Sequence, residues 1–322
     1  MSARSKSLVK ELAAASGFVL AMAIGWPATA AALDWTQVPA REIVLLYPGQ
    51  ASWEWVLTER DHSGAPKFRE GKNCKGCHEG EQADMGASIL KGGKLEPTPI
   101  AGKPGSLALN VQVARDVERL YFRLRWKGAT ASGKKLDPEF TARATVMLGD
   151  AQVKEAARAG CWGSCHDDAK GMASAAPGGD ISKYLGASRV KLSRQGGGEN
   201  YKPAADIQAL LQQGAFLEFW QAKLNPGKPA LAVSGYILDK RNENASPSTK
   251  AEASFANSEW TVVLSRALKA VGPGQKELVA GKPYALGFAI HDDYASHRFH
   301  YVSLEQSLVI DSGTADFVAK AK

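Results

Sequence analysis

The 322-residue sequence has only four cysteines, and it has no long hydrophobic run after its first 33 residues. Four cysteines are too few for a disulfide-dense small protein. The 44% hydrophobic content excludes wholesale disorder, and 32 glycines are too few for a collagen-like fibre. The composition therefore indicates a globular protein, long enough for one large domain or two modest ones.

Concentrated charge is also lacking, because the formal net charge of +7 comes from lysines and arginines that form no basic block. Nucleic-acid-binding domains usually cluster such residues on one face, so a nucleic-acid partner is not expected. No P-loop, dinucleotide fingerprint or Ser/His/Asp triad is recognisable, since the glycine-rich stretches lack the strand–turn–helix context that those motifs need.

The N-terminus has the pattern of an export signal. Three basic residues within the first ten precede the uncharged stretch Leu12–Leu33, and Ala28–Ala32 offers small-x-small cleavage sites. We therefore predict a signal peptide over residues 1–32, cleavage, and a periplasmic protein with no later transmembrane segment. An uncleaved anchor is the alternative, because the uncharged stretch could just span a bilayer, but Pro27 and the alanines disfavour a membrane helix.

The four cysteines fall into two short motifs, each ending in histidine: Cys74-Lys75-Gly76-Cys77-His78 and Cys161-Trp162-Gly163-Ser164-Cys165-His166. C-x-x-C-H is typical of covalent c-type haem attachment, in which both thiols form thioethers to the haem vinyl groups. The second motif is the variant with one extra residue. The sequence predicts two covalently bound haem c groups, with His78 and His166 as proximal iron ligands.

Other interpretations of these motifs are half of a zinc site, a redox dithiol or a local disulfide. A zinc site would require both motifs to meet at an unusual spacing. A thioredoxin-like dithiol would need a βαβ context, which is not recognisable around Cys74. Two motifs that each end in histidine, with no cysteine left over, favour haem.

The sixth iron ligands are predicted from the few remaining histidines and methionines. His62 lies 12 residues before the first motif, and His291 and His300 flank a loop with three histidines in ten residues. We expect two histidine ligands at both haems, with these three residues competing for two places; a second histidine gives a low potential and methionine a higher one. Met172 and Met85, which follow the motifs closely, are less favoured because methionine usually fills cores.

Period-two alternation of apolar residues follows residue 104 and predicts half-buried antiparallel strands. The predicted strands are Leu107–Val113, Leu120–Trp126, Thr141–Leu148, Ala230–Leu238, Trp260–Leu268, Tyr284–Ile290 and Leu304–Ile310. Seven such strands separated by Gly/Pro turns predict a mainly β protein with an antiparallel β-sandwich.

The predicted organisation has three parts: the signal peptide, a short loop-rich haem c segment at 33–103, and a β-sandwich haem-binding domain at 104–322 that holds the second motif. Prolines and glycines near residue 103 mark the boundary. Two non-β excursions are expected in the second domain. One is a short helix over Ala151–Ala159, and the other is a segment with helix-like spacing over Pro203–Lys223.

Several blocks of the sequence resemble a known family. They are 260–268, 281–284 and 288–290, with 160–172 around the second motif and 53–65 before the first. The first three are similar to the C-terminal strands of the ethylbenzene dehydrogenase-type haem-binding domain, and the other two resemble exported multihaem relatives. The resemblance covers about residues 50–310.

This resemblance implies a β-sandwich that holds haem. In the small subunit that accompanies some molybdenum enzymes of the DMSO reductase family, the domain holds a haem b between Met and Lys. Here cysteines are expected to anchor the haem, so that Met/Lys ligation does not carry over.

Together these observations predict a periplasmic dihaem c-type cytochrome that transfers electrons between redox proteins, such as a quinol-oxidising cytochrome and a terminal reductase or dehydrogenase. The first alternative is an electron-transfer subunit of a molybdenum oxidoreductase. A second is a haem enzyme with one open iron site that reduces a small oxyanion, and the last is a haem-based sensor. The electron carrier is favoured over the enzyme.

Overall fold

The computed structural model describes residues 33–51, 53–92, 95–129, 135–166, 183–191, 201–244 and 248–322, except for the side chains of Glu54, Cys165, His166 and Asn244. The predicted signal peptide and Met172 lie outside these residues. Asp34–Lys322 form one compact unit.

The described strands are β1 Ala40–Leu46, β2 Ser106–Arg115, β3 Arg119–Lys127, β4 Ala142–Gly149, β5 Ser164–His166, β6 Lys183–Leu185, β7 Leu217–Leu224, β8 Leu231–Ile237, β9 Arg241–Asn244, β10 Thr249–Ala256, β11 Glu259–Ala267, β12 Tyr284–His291, β13 Tyr301–Val302, β14 Gln306–Ile310 and β15 Phe317–Ala321. The described helices are α1 Trp53–Val56, α2 Ala65–Arg69, α3 Cys74–His78, α4 Gln82–Leu90, α5 Ala156–Ala159 and α6 Ala204–Gln212. The mainly β class predicted from the sequence is confirmed.

One large sheet dominates the fold, with the strand order β10-β11-β3-β2-β1-β13-β12-β4-β7-β8-β9. Two further strands close part of it on itself, because β14 pairs with β12 and β15, and β15 pairs with β2. The strands β2, β1, β13, β12, β14 and β15 thereby form a barrel. The β14–β15 and β15–β2 pairs are parallel, and the other described strand pairs are antiparallel.

The two wings of the sheet face each other across an aromatic core. Phe122 of β3 packs edge-on against Trp220 of β7, with ring centroids 5.6 Å apart, and against Phe288 of β12 at 6.1 Å. Arg266 of β11 reaches Glu218 of β7 through two hydrogen bonds of 2.7 and 2.9 Å, and both side chains are buried. The predicted packing of two β layers is therefore present, although hydrogen bonds join the layers into one sheet.

The alternation that predicted strands is clear in β3. Its buried and half-buried positions alternate from Arg119 to Trp126, as expected for a strand with one face on the core. Trp126 pairs with Trp260 of β11, and their rings stack with centroids 6.1 Å apart. Such cross-strand aromatic pairs stabilise neighbouring strands.

The helix-like interpretation of Pro203–Lys223 is wrong for its second half. Helix α6 ends at Gln212, and Phe219 and Trp220 belong to β7. All but one residue of β7 is buried, so the strand reads as a continuous hydrophobic run without period-two alternation. The short helix predicted before the second motif is present only as α5.

The segment before residue 104 begins with a strand that the sequence did not indicate. Strand β1 pairs with β2 from Ala40↔Gln112 to Leu46↔Ser106, and α1–α4 lie between these two strands in the chain. Helix α4 packs closely against the segment that leads into β2. A Cβ on Gly86 would lie only 1.8 Å from the Gly105 carbonyl oxygen. The helical segment is therefore an insertion that leaves and re-enters the sheet between paired strands.

Candidate haem sites

The first cysteine motif forms a single helical turn, α3. Asn73 caps it by accepting a 2.7 Å hydrogen bond from the Gly76 N–H. A Cβ on Gly76 would lie 2.4 Å from the same oxygen, so a larger residue there would require the Asn73 side chain to shift. Cys74, Cys77 and His78 stand at positions i, i+3 and i+4, which places them on one side of the turn.

This turn opens into a cavity of about 970 Å³ whose lining is mostly apolar. The lining residues are Ala51, Trp55, Val56, His62, Gly64, Phe68, Asn73, Cys74, Cys77, His78, Met85, Ser88, Ile89, Leu95, Trp162 and Leu304. Of the candidate sixth ligands, His62 and Met85 are brought to the first motif.

His62 and His78 lie opposite each other in this cavity, with ring centroids 6.1 Å apart and ring planes at 41°. The Nδ1 of His62 is 2.9 Å from the Val56 carbonyl oxygen, and the Nδ1 of His78 is 2.9 Å from Glu81 Oε2. When Nδ1 donates its hydrogen in each ring, Nε2 keeps a free lone pair. Trp55 stacks on the His62 ring at 5.3 Å and restricts its rotation.

Cys74 and Cys161 lack the environment of reactive redox thiols. Burial raises the pKa of Cys74 to about 12 and also raises the pKa of Cys161. Reactive thiols have lowered pKa values, because the thiolate is the nucleophile. Within the described residues no group of three His, Cys, Asp or Glu side chains could hold a metal ion, so nothing there supports the zinc alternative.

The second motif has a different local structure, a 3₁₀ turn over Gly160–Gly163 followed by β5, which pairs with β6. Gly160 has a φ of 52°, and a Cβ there would lie 3.1 Å from the Glu305 Cα. Across the sheet, a Cβ on Gly287 would lie 2.6 Å from Cys161 Sγ. Both glycines are needed for the motif to approach the sheet so closely.

Cys161 opens into a second cavity, of about 1300 Å³, on the sheet face formed by β4, β7, β8 and β12. The cavity is lined by Pro138, Arg143, Thr145, Met147, Cys161, Lys183, Phe219, Gln221, Ile237, Arg241, Ala289, His291, Ser296, His297 and His300. Three histidines at the end of β12 and in the loop that follows, His291, His297 and His300, therefore line one cavity. His291 and His300 stack with centroids 4.6 Å apart and planes at 17°.

His291 and His297 are linked within this loop. His291 Nε2 is 3.0 Å from the His297 carbonyl oxygen, whereas its buried Nδ1 has no hydrogen-bond partner among the described residues. Burial, and to a lesser degree Arg143, lowers the pKa of His291 to about 3, so its ring is neutral. His297 adopts a positive φ of 55°, and its Nδ1 lies 2.8 Å from Ser296 Oγ.

The structure thus separates candidates that the sequence left in competition. His62 lies at the first motif, and His291 and His300 lie at the second. Sequence reasoning missed the anchoring role of Glu81, although a carboxylate three residues after His78 was a readable signal.

Comparisons with known proteins identify a family and two relatives. The family described as ethylbenzene dehydrogenase matches residues 227–303, which include His291 and His300. Cytochrome c-552 of Stutzerimonas stutzeri is 36% identical over 304 residues, covering 94% of this chain and 95% of its own. Cytochrome c-551 of Rhodocyclus tenuis is 30% identical over 289 residues, covering 89% of this chain and 98% of its own.

A solved structure of a suspected carbohydrate-binding protein from Bacteroides uniformis shares 9% identity and a TM-score of 0.32, over 63% of this chain and 71% of its own. That similarity is too low to argue from.

The fold and the cysteine–histidine motifs define a β-rich c-type cytochrome, a class that binds haem covalently. The chain belongs to the cytochrome c family represented by these two relatives, and it contains the ethylbenzene dehydrogenase-type domain. In the part of the chain that the structure describes, no helix is both long and apolar enough to span a bilayer.

Proposed function

We propose that this protein is a periplasmic dihaem c-type cytochrome that transfers electrons between redox proteins. The observation that carries the proposal is that Cys74, Cys77 and His78 share a cavity with His62, while Cys161 shares another with His291 and His300. When bound, haem supplies reversible one-electron chemistry, while the protein supplies ligands, burial and approach geometry.

The first cavity fits a haem held between His62 and His78. A metal bound at about 2 Å from an imidazole nitrogen on each side would place the ring centres roughly 6 Å apart. The observed separation is 6.1 Å. Each Nδ1 is also anchored, to a carbonyl or a carboxylate oxygen, which is the usual outer-shell arrangement of metal-ligating histidine.

The second cavity fits a haem attached through Cys161 and Cys165, with His166 as the proximal ligand and His291 or His300 on the other side. The sheet face supplies a rigid floor, and Arg143, Arg241 and Lys183 supply positive charge for propionates. With histidine on both sides of each iron, we expect low potentials and no open coordination position.

A third, small pocket lies between the other two cavities, so the two sites share a wall. It shares Ala51 and Trp162 with the first cavity, and Cys161, Lys183 and His300 with the second. The Trp162 indole is 9% exposed, and its buried N–H has no acceptor among the described residues. Trp162 therefore offers a donor to a haem propionate, as well as a contact between the two sites.

Haem stoichiometry tests the proposal directly. We expect two covalent haems per wild-type chain and one in each of two matched variants, Cys74→Ser/Cys77→Ser and Cys161→Ser/Cys165→Ser. Mass spectrometry and the pyridine haemochrome assay measure this. One covalent haem in the wild type, or none, would overturn the dihaem proposal.

Spectroscopy separates the carrier from an enzyme with an open iron site. Two fully low-spin haems that do not bind CO support the carrier, whereas a high-spin ferric band with CO binding at one haem would favour the enzyme.

Export is tested by fractionating cells and sequencing the mature N-terminus. A periplasmic protein that begins near residue 33 is expected, and a membrane-bound protein with an intact N-terminus would contradict it.

A further inference from the structure

Glu305 lies in the wall between the two attachment motifs. Its Oε1 accepts a 2.8 Å hydrogen bond from the backbone N–H of Lys75, inside the first motif. Its backbone packs against Gly160, immediately before the second motif, and its neighbour Leu304 lines the first cavity. The Glu305 side chain therefore contacts the first motif, while its backbone lies beside the start of the second.

The other oxygen of this carboxyl group has no donor. Glu305 is 5% exposed, and its buried Oε2 accepts no hydrogen bond from the described residues. Burial of a carboxylate oxygen without a donor disfavours the charged form. Burial accordingly raises the pKa of Glu305 to about 7, against the lowering effect of the Lys75 N–H.

Several charged or titratable groups surround Glu305. They are Cys74 and Lys75 from α3 and Asp316 from the segment before β15. The Lys75 ammonium lies 2.6 Å from Asp316 Oδ1, and Arg41 also pairs with Asp316. Lys75 favours the charged form of Glu305 and Asp316 disfavours it, but burial has the larger effect on its pKa.

We propose that Glu305 binds a proton when the haem at the first motif is reduced, so that the protein takes up a proton together with an electron. This inference rests on the proposed function. The electron comes from the redox partner and converts Fe³⁺ to Fe²⁺. The proton comes from water and converts the Glu305 carboxylate to the neutral acid, and no other bond changes.

The direction of the pH effect on the midpoint potential follows from the coupling between proton binding and electron binding. An added electron disfavours a nearby negative charge, so the pKa of Glu305 is higher in the reduced protein than in the oxidised one. Between these two pKa values the midpoint potential falls as pH rises. At full coupling the reduction equilibrium changes tenfold per pH unit, which is about 59 mV for one electron. At pH values above and below that window, titration of Glu305 no longer makes the midpoint potential depend on pH.

The experiment measures the midpoint potentials of the holoprotein by spectropotentiometric titration from about pH 5 to about pH 9. This range brackets the pH values at which a carboxyl group with a raised pKa changes its charge. We compare wild type with Glu305→Gln, which keeps an oxygen for the Lys75 N–H. The control is Glu59→Gln, which changes an exposed carboxylate that lies near Arg69 instead. We expect a pH-dependent potential of the first haem in wild type and control, and loss of most of that dependence in Glu305→Gln.

Redox difference infrared spectroscopy provides a readout that does not depend on the stability of the variant. Reduction of the wild type near neutral pH should produce the carbonyl band of a neutral carboxylic acid, and Glu305→Gln should lack it. Equal pH slopes in wild type and Glu305→Gln, or no such band in the wild type, would overturn the inference. Two reversible haems with that result would leave the electron carrier intact, whereas absence of covalent haem would remove both.

Discussion

The two candidate haem sites are built in opposite ways. Apart from Trp162 and Leu304, the described residues lining the first cavity lie between Ala51 and Leu95, on short helices and turns. The second cavity is lined by distant strands, from β4 to β12, and by the loop that follows β12. The first site is therefore local in sequence, whereas the second depends on the assembled sheet.

This difference separates two means of positioning a ligand. At the first site each histidine ring is held by its own hydrogen bond within six residues, to Val56 for His62 and to Glu81 for His78. At the second site His291 has a comparable hydrogen bond, from Nε2 to the His297 carbonyl oxygen, but its ring also stacks on His300 against the face of the assembled sheet. We expect the first site to respond to changes in single anchors, and the second to changes in the scaffold.

The largest expected effect is at the first site. His62→Ala should convert the first haem completely from low to high spin, because its sixth ligand is removed. Electron paramagnetic resonance and absorption spectra would show one high-spin and one low-spin haem. Met85→Leu is the matched control, since Met85 lines the same cavity and should leave both haems low-spin. If Met85→Leu gave the high-spin signal and His62→Ala did not, the assignment would be reversed.

At the second site, the substitution His291→Ala should give the high-spin signal and His300→Ala a smaller perturbation. His291 already places one ring nitrogen against the His297 carbonyl and leaves the other without a partner among the described residues, the pattern of a metal ligand. The same two spectroscopic methods apply. A fully low-spin His291→Ala protein beside a high-spin His300→Ala protein would make His300 the ligand.

The scaffold of the second site should be sensitive to the ion pair between the sheet layers. Glu218→Ala leaves Arg266 buried and unpaired, and we expect a loss of about 3–5 kcal/mol in the free energy of unfolding. Glu259→Ala, which removes the partially exposed pair with Arg125, should lose no more than about 1 kcal/mol. Denaturant unfolding followed by circular dichroism measures both, and equal losses would contradict the contrast.

The smallest expected effect is on the potential of the first haem alone. Glu81→Gln weakens the hydrogen bond at His78 Nδ1, which makes the imidazole a poorer electron donor to iron. The midpoint potential of the first haem should rise by less than about 59 mV, a tenfold change in equilibrium, while the second stays constant. Glu79→Gln, on the next exposed carboxylate, should change neither, and a shift of both haems in Glu81→Gln would refute a local role.

The sequence predicted the local parts of this protein best. The strand from Leu120 to Trp126 alternates because one face meets the core, and the C-x-x-C-H motif and His62 are near neighbours in the chain. Strand β7 was missed because it is buried on both faces. No local sequence pattern could show that Glu305 would lie against Lys75, because the two residues are 230 positions apart and meet only in the folded chain.

The first site is inserted between two paired strands, β1 and β2. Leu46 and Ser106 are directly paired in β1 and β2, so residues 47–105 occupy the position of a hairpin loop. Hairpin tips are where a sheet accepts new sequence, because both ends of the insert are already close together. On the proposed function, the first haem site is therefore an insertion at a single junction of the β scaffold that holds the second site, and the scaffold contributes Trp162 and Leu304 to its lining.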